Sequence, residues 1–218
     1  MRRLLYLYHA DPTPFRKCFD EAKLLFDVDR KTIGRDDVIY YGGGTDVNPE
    51  LYGEKLHFFS AQPDKFRDEY EQKIFHEFSS KVKGFIGVCR GSQFLTVMNG
   101  GKLVQHIGMA HCGAHQIITN EGALMKVTST HHQMMYPFNL PAEDYKILAT
   151  PNPDHISRCY QRGDGHGEYV GKDIPVEPEI VWYPKSKSLC IQGHPEYMHQ
   201  GQPFPSHCRN LINERLLS

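Results

Sequence analysis

Long apolar runs are missing from this chain of 218 residues. None approaches the roughly 20 residues a helix needs to cross a bilayer, so no membrane span is expected. An excess of one charge is missing too: 25 Lys and Arg against 26 Asp and Glu give a net charge of −1. That leaves no basic field of the kind nucleic-acid binding needs. Paired cysteines are also lacking. The six present (Cys18, Cys89, Cys112, Cys159, Cys190 and Cys208) are scattered without a C-x-x-C spacing, which argues against a disulfide framework and for a reducing compartment, the cytoplasm. Met1 to Tyr8 opens like a secretory leader, but His9 and Asp11-Pro12 break the apolar stretch too early, and it reads better as a first strand. With no repeat, low-complexity tract or linker, and 39% hydrophobic residues to fill a core, residues 1–218 are expected to form one domain.

What is present centres on Gly87-Val88-Cys89-Arg90-Gly91-Ser92-Gln93-Phe94. An apolar run, Gly84 to Val88, leads into a cysteine followed by Gly91, and Phe94, Leu95 and Met98 then continue at helical spacing. A strand that turns abruptly into a helix with the cysteine at the corner is the geometry of a nucleophile elbow, where small residues permit the strained turn. The helix beginning there points its free N–H groups and positive dipole end at the sulfur, which favours the thiolate. The competing reading is a buried structural cysteine.

A nucleophilic cysteine needs a base and a group to orient that base. About a hundred residues later, Leu189-Cys190-Ile191-Gln192-Gly193-His194-Pro195-Glu196 supplies both candidates. His194 follows an apolar strand. Glu196, two residues on, falls on the same side of an extended segment and can reach one ring nitrogen while the other faces the sulfur. A His-Pro-Glu tripeptide alone would read as a surface turn. Two such motifs at the C-terminal ends of apolar strands, where open α/β sheets place their sites, are a far less probable accident.

Strands and helices alternate through the first hundred residues, which predicts a mostly parallel sheet flanked by helices. Val38 to Tyr41 reads as a buried strand. A helix is expected over Phe15 to Phe26, from Phe15, Phe19, Ala22 and Phe26. A second is expected from Asp64, a plausible N-cap, to Val82, with Phe66, Tyr70, Ile74, Phe78 and Val82 as a purely core-packing stripe. Leu124–Thr128, Tyr145–Ala149 and Ile180–Tyr183 are short strand candidates. The Gly-rich segment 162–173 reads as a surface loop or, less readily, a flap. Thirteen histidines is a high number. His111-Cys112-Gly113-Ala114-His115 lacks a second cluster at zinc spacing and is read as loop histidines. No metal and no cofactor are expected.

Four blocks together resemble a class I glutamine amidotransferase domain, most similar to the γ-glutamyl-γ-aminobutyrate hydrolase (peptidase C26) branch. They are Gly42 to Glu54; Gly87 to Gln93 with Gly100 to Ile107; Val127 to Gln133; and Gln192 to Glu196. They occur in the family's order and span most of the chain. The match is poorest at the Gly-rich segment, where the family passes compactly between two strands. The resemblance implies a flavodoxin-like three-layer fold, Cys89 as nucleophile, His194 as base and Glu196 as its orienting acid. Acyl transfer needs two donors for the oxyanion. The N–H of Arg90 is one, a backbone N–H of Gly43 or Gly44 the other, and the family implies the same. The three glycines could otherwise be a flexible turn or a phosphate cradle, but no Lys-Ser/Thr pair follows to make a P-loop. The family also places Gln93 in the substrate pocket. Adjacent His131 and His132 suggest a metal pair, yet neighbours on a strand face opposite ways. The resemblance instead makes this segment a wall of the γ-glutamyl pocket, with Ser129 and His131 nearest the ligand. The implied activity is hydrolysis of the γ-glutamyl amide of glutamine or a γ-glutamyl amine through a thioester. The alternatives are a glutaminase subunit passing ammonia to a separate synthetase partner and, more remotely, a non-catalytic binding relative.

Overall fold

The structure is a computed structural model that describes residues 1–109, 111–157, 159–163 and 174–218. Among these, the strands are β1 (Arg3–Tyr6), β2 (Glu21–Leu24), β3 (Asp37–Tyr41), β4 (Gly84–Val88), β5 (Lys102–Val104), β6 (Cys112–Thr119), β7 (Leu124–Thr130), β8 (Met134–Tyr136), β9 (Lys146–Pro151), β10 (Ile180–Tyr183) and β11 (Ser188–Ile191). The α-helices are α1 (Lys65–Phe78), α2 (Arg90–Met98) and α3 (Pro203–Ile212). Nine strands form the central sheet in the order β2-β1-β3-β4-β11-β10-β9-β6-β7, and β5 pairs with β8 apart from it. The expected parallel sheet runs from β2 to β11. Beyond β11 it is extended by an antiparallel wing, β10-β9-β6-β7.

Every residue of β3, β4, β10 and β11 is buried. Their near-continuous apolar sequences follow from burial on both faces. On one face Leu4, Val38, Tyr40, Ile86, Val88 and Ile191 pack with Phe204, Cys208, Leu211 and Ile212 of α3. On the other Leu5, Ile39, Tyr41 and Phe85 pack with Ile74, Phe75 and Phe78 of α1 and Phe94, Leu95 and Val97 of α2. These are the three layers. Register then sets the site. Tyr41 aligns with Gly87 and Val88 with Ile191, so the segments leaving β3, β4 and β11 emerge side by side.

Three expectations are corrected. Phe15 to Phe26 is not a helix. It is a short turn, Arg16–Cys18, then β2, then a second turn, Leu25–Asp27. Phe15 and Phe19 are buried, but Phe26 is 67% exposed and stacks on Tyr70. Pairing β2 to β1 covers an otherwise open sheet edge, a gain that helical spacing does not register.

The helix expected to reach Val82 ends at Phe78, with Asp64 capping Arg67 N–H as foreseen. Phe66 is 88% exposed, and the buried face instead carries Asp68, Glu71, Ile74, Phe75 and Phe78. The two acids turn inward because buried Arg90 pairs with both, so this face does more than pack. Third, His115 belongs to a strand, β6, that extends the wing, and is no loop histidine; His111 lies in the turn just before it, as expected, but is buried. From residue 164 on, the Gly-rich segment lies outside the described residues.

Candidate active site

Cys89 sits at the corner between β4 and α2 with φ 51° and ψ −114°. That left-handed conformation is rare for a residue with a side chain and marks a strained turn. The sequence makes room for it. A Cβ on Gly87 would come within 2.5 Å of the Gly91 carbonyl oxygen, and one on Gly91 within 2.1 Å of the Tyr41 carbonyl oxygen. The Cys89 N–H donates to the Ile191 carbonyl at 2.9 Å, which ties the corner to the end of β11.

Three residues past that end, His194 donates its backbone N–H to the Thr128 carbonyl at 2.7 Å. Its ring Nδ1 lies 2.7 Å from Glu196 Oε1. The contact is made through a single helical turn, Pro195–Tyr197, and not through the extended segment expected. The other nitrogen, Nε2, is 3.1 Å from Thr130 Oγ1, and Cys89 is near enough to act on the ring's protonation. Burial alone would lower the His194 pKa, but the interactions with Cys89 and Glu196 outweigh it and raise it to about 10. Tyr197 stacks on the ring at 4.4 Å.

The glycine loop after β3 closes the third side. A Cβ on Gly43 would stand 3.3 Å from His194 Cε1 and 3.7 Å from Cys89 Cβ, so this backbone lies against both side chains. Gly44 adopts φ +145°, and a Cβ there would strike Arg67 Nη1 at 2.2 Å. Arg67 itself donates to the carbonyls of Gly43 and Gly42, each at 3.0 Å, and to Glu71 Oε1 at 2.8 Å. The loop is therefore held from behind by α1, through an Arg67–Glu71–Arg90–Asp68 network. Arg90 opens α2, where the N–H groups of the first turn have no helical partner.

A cavity of about 220 Å³ opens in front of Cys89 and His194, with Gly44, Gln93, Thr130 and His131 in its wall. Gln93 is fixed there by donating to the Gln133 carbonyl at 3.1 Å. Ser129 is not brought to the cavity. It is fully buried, its hydroxyl without a hydrogen bond, and Thr130 faces the opening instead. His131 and His132 do point apart: His132 Nε2 reaches Asp46 Oδ1 at 3.2 Å, while His131 Nε2 turns inward to within 4.0 Å of Glu179. Desolvation lowers the His131 pKa to about 4.

Sequence reasoning missed Arg67, Asp68, Glu71, Thr130, Asp46 and Tyr197. The first three had a signal, acids three apart on the face shared with Ile74 and Phe78 and an Arg-Glu pair at i,i+4.

The peptidase C26 family model matches residues 27–157. The glutamine amidotransferase-like protein YvdE of Lactococcus lactis subsp. lactis is 34% identical over 77% of this chain and 69% of its own length. The match to its homologue in Lactococcus lactis subsp. cremoris, at 35% identity, spans half of that protein. Among solved structures, a glutamine amidotransferase from Thermotoga maritima superposes with a TM-score of 0.56 at 17% identity, covering 89% of this chain and 76% of the other. The glutaminase domain of Trypanosoma brucei CTPS gives 0.53 at 14% identity, covering 98% and 93%. The fold is that of the class I glutamine amidotransferases, and the chain belongs to the peptidase C26 family.

Proposed function

We propose that this chain is a cysteine hydrolase that cleaves the γ-glutamyl amide bond of glutamine or a γ-glutamyl amine, as a single catalytic domain over residues 1–218. One observation carries the proposal: Cys89 stands in a left-handed corner against His194, whose opposite nitrogen is 2.7 Å from Glu196. The Cys89 thiolate attacks the γ-carbonyl carbon, and the oxyanion rests on the N–H of Arg90 and of Gly43 or Gly44. Protonated His194 gives its proton to the departing amine, leaving a γ-glutamyl thioester on Cys89. His194 then takes a proton from water, whose oxygen attacks the thioester and releases glutamate and the free thiolate. Glu196 holds the imidazole in one orientation and stabilises its charged form. Asp46, on the cavity wall, offers a negative partner for the substrate's α-ammonium.

The test is amine release from γ-glutamyl-γ-aminobutyrate and other γ-glutamyl amines, beside ammonia release from L-glutamine, with Cys89→Ala as control. Cys89-dependent cleavage of a γ-glutamyl amine is expected. Failure on every substrate while Cys89 alkylates readily would replace this reading with a glutaminase subunit that waits for a synthetase partner.

A further inference from the structure

Against the inner edge of His131 lies a second group of histidines and carboxylates that the proposed reaction does not use. We infer that His111, His131 and Glu179, with His115 beside them, form a binding site for one divalent transition-metal ion, zinc by their donor chemistry.

The residues arrive from separate segments. His111 precedes β6, His115 lies within it, His131 follows β7 and Glu179 precedes β10. One donor atom from each of His111, His131 and Glu179 falls within 4.8 Å of the others. Glu179 Oε1 is 2.9 Å from His111 Nδ1, 3.0 Å from His115 Nε2 and 4.0 Å from His131 Nε2. Tetrahedral zinc with ligands at about 2.0–2.1 Å sets its donor atoms about 3.3 Å apart, and the three separations bracket that value. Small ring movements would complete the shell.

Two of the three outer nitrogens are already held as a metal site requires, His115 Nδ1 being the exception. His111 Nε2 meets Glu177 Oε2 at 2.7 Å, and His131 Nδ1 meets the Gln133 carbonyl at 2.7 Å. Such partners fix the tautomer and aim the other nitrogen at the ion. His131 Nε2 is the independent sign. It is 96% enclosed with its residue, points at Glu179 and makes no hydrogen bond. An unsatisfied buried polar atom costs about 1–3 kcal/mol, and coordination would satisfy it.

Charge agrees as well. Glu177 and Glu179 are both nearly sealed from solvent, and two carboxylates balance one divalent cation. Three imidazoles and a carboxylate suit zinc above magnesium or calcium. The adjacent thiol, Cys112, is exposed and directs its sulfur toward the His131 carbonyl, outside the donor set. Of the four donors only His131 borders the cavity, so the ion would be structural, pinning the Thr130–Gln133 wall beside the nucleophile.

The test is cobalt and zinc titration of the full chain carrying Cys89→Ala, after removal of metal with a chelator; this variant lacks the one thiol in the cavity. One equivalent of cobalt should bind with the visible bands of a tetrahedral site and without a thiolate charge-transfer band, and zinc should displace it. Glu177→Gln, which leaves the ligands in place, should weaken binding roughly 10–100-fold, and Glu179→Gln should abolish it. No tight binding, a thiolate band, or affinity unchanged in folded Glu177→Gln would each overturn the inference. The cobalt spectrum and Glu177→Gln decide the question even where Glu179→Gln does not fold.

Discussion

His194 and His111 each meet a carboxylate through Nδ1, Glu196 at 2.7 Å and Glu179 at 2.9 Å. Burial opposes the charge on both rings, yet hydrogen bonds raise them, His194 to about 10 and His111 to about 9. What separates them is the other nitrogen. In His194 it faces Thr130 and a cavity that holds a thiol. In His111 it meets a second buried carboxylate, Glu177. A proton on His194 can pass to a substrate, while His111 is enclosed between two acids. A histidine–carboxylate pair is thus no mark of catalysis in itself; the mark is a second nitrogen turned toward space where a substrate fits.

The comparison breaks first at Cys89. Loss of a triad nucleophile costs on the order of 10⁶-fold in kcat, and Cys89→Ala should show a loss of that size in amine release. Its unfolding midpoint should move little, because alanine keeps the same Cβ at φ 51° and only the sulfur is removed. Residual turnover near wild type would remove His194 from the chemistry altogether.

Glu196→Gln comes next. Without the orienting carboxylate, kcat should fall on the order of 10³–10⁴-fold. The pH profile sharpens the point. The wild-type alkaline limb should lie near pH 10, where His194 loses its proton. The variant's limb should move down toward the ordinary histidine value of about 6.5. Stability follows the same sign. The folded pKa is raised, so His194 stabilises the fold fully below about pH 6.5, and that contribution disappears as the pH rises through about 10.

In the sealed cluster the effect should appear in stability. Glu179→Gln takes away the negative charge that faces both His111 and His115, and breaking a buried charged pair costs about 3–5 kcal/mol. The denaturant midpoint should drop accordingly with an unchanged m-value. A loss below about 1 kcal/mol would show that the cluster does not hold the wing together.

The contrast also explains what was legible in the sequence. The elbow could be read because its cause is local: Gly87 and Gly91 lie within two residues of Cys89 and are required by the backbone at that corner. His194 and Glu196 were legible for the same reason, although a helical turn rather than an extended strand joins them. The sealed cluster was not. His111 finds its acids 66 and 68 residues away, and only the pairing of β6 and β10 with β9 brings them together. The inward turn of Asp68 and Glu71 likewise depends on Arg90, 22 and 19 residues on. The family resemblance pointed to the segment at 129–131, where Thr130 and His131 line the cavity and Ser129 does not; the facing of single residues there is a matter of register.

The smallest effect tests that register where the two regions touch. Thr130 and His131 are neighbours, yet one hydroxyl lies 3.1 Å from His194 Nε2 and the next ring turns toward Glu179. Side chains one residue apart face opposite ways at a strand end, so the last residue of β7 puts its hydroxyl against His194 and the residue after it turns its ring to the sealed cluster. A single neutral hydrogen bond is worth about 0.5–1.5 kcal/mol. Thr130→Val keeps the shape and should change kcat/KM by no more than about tenfold, with the melting temperature unmoved. His131→Asn should do the reverse in kind, lowering the melting temperature by removing the enclosed ring. If Thr130→Val instead destabilised the fold, or His131→Asn left the melting temperature unchanged, the division between a working histidine and a sealed one would not follow the strand.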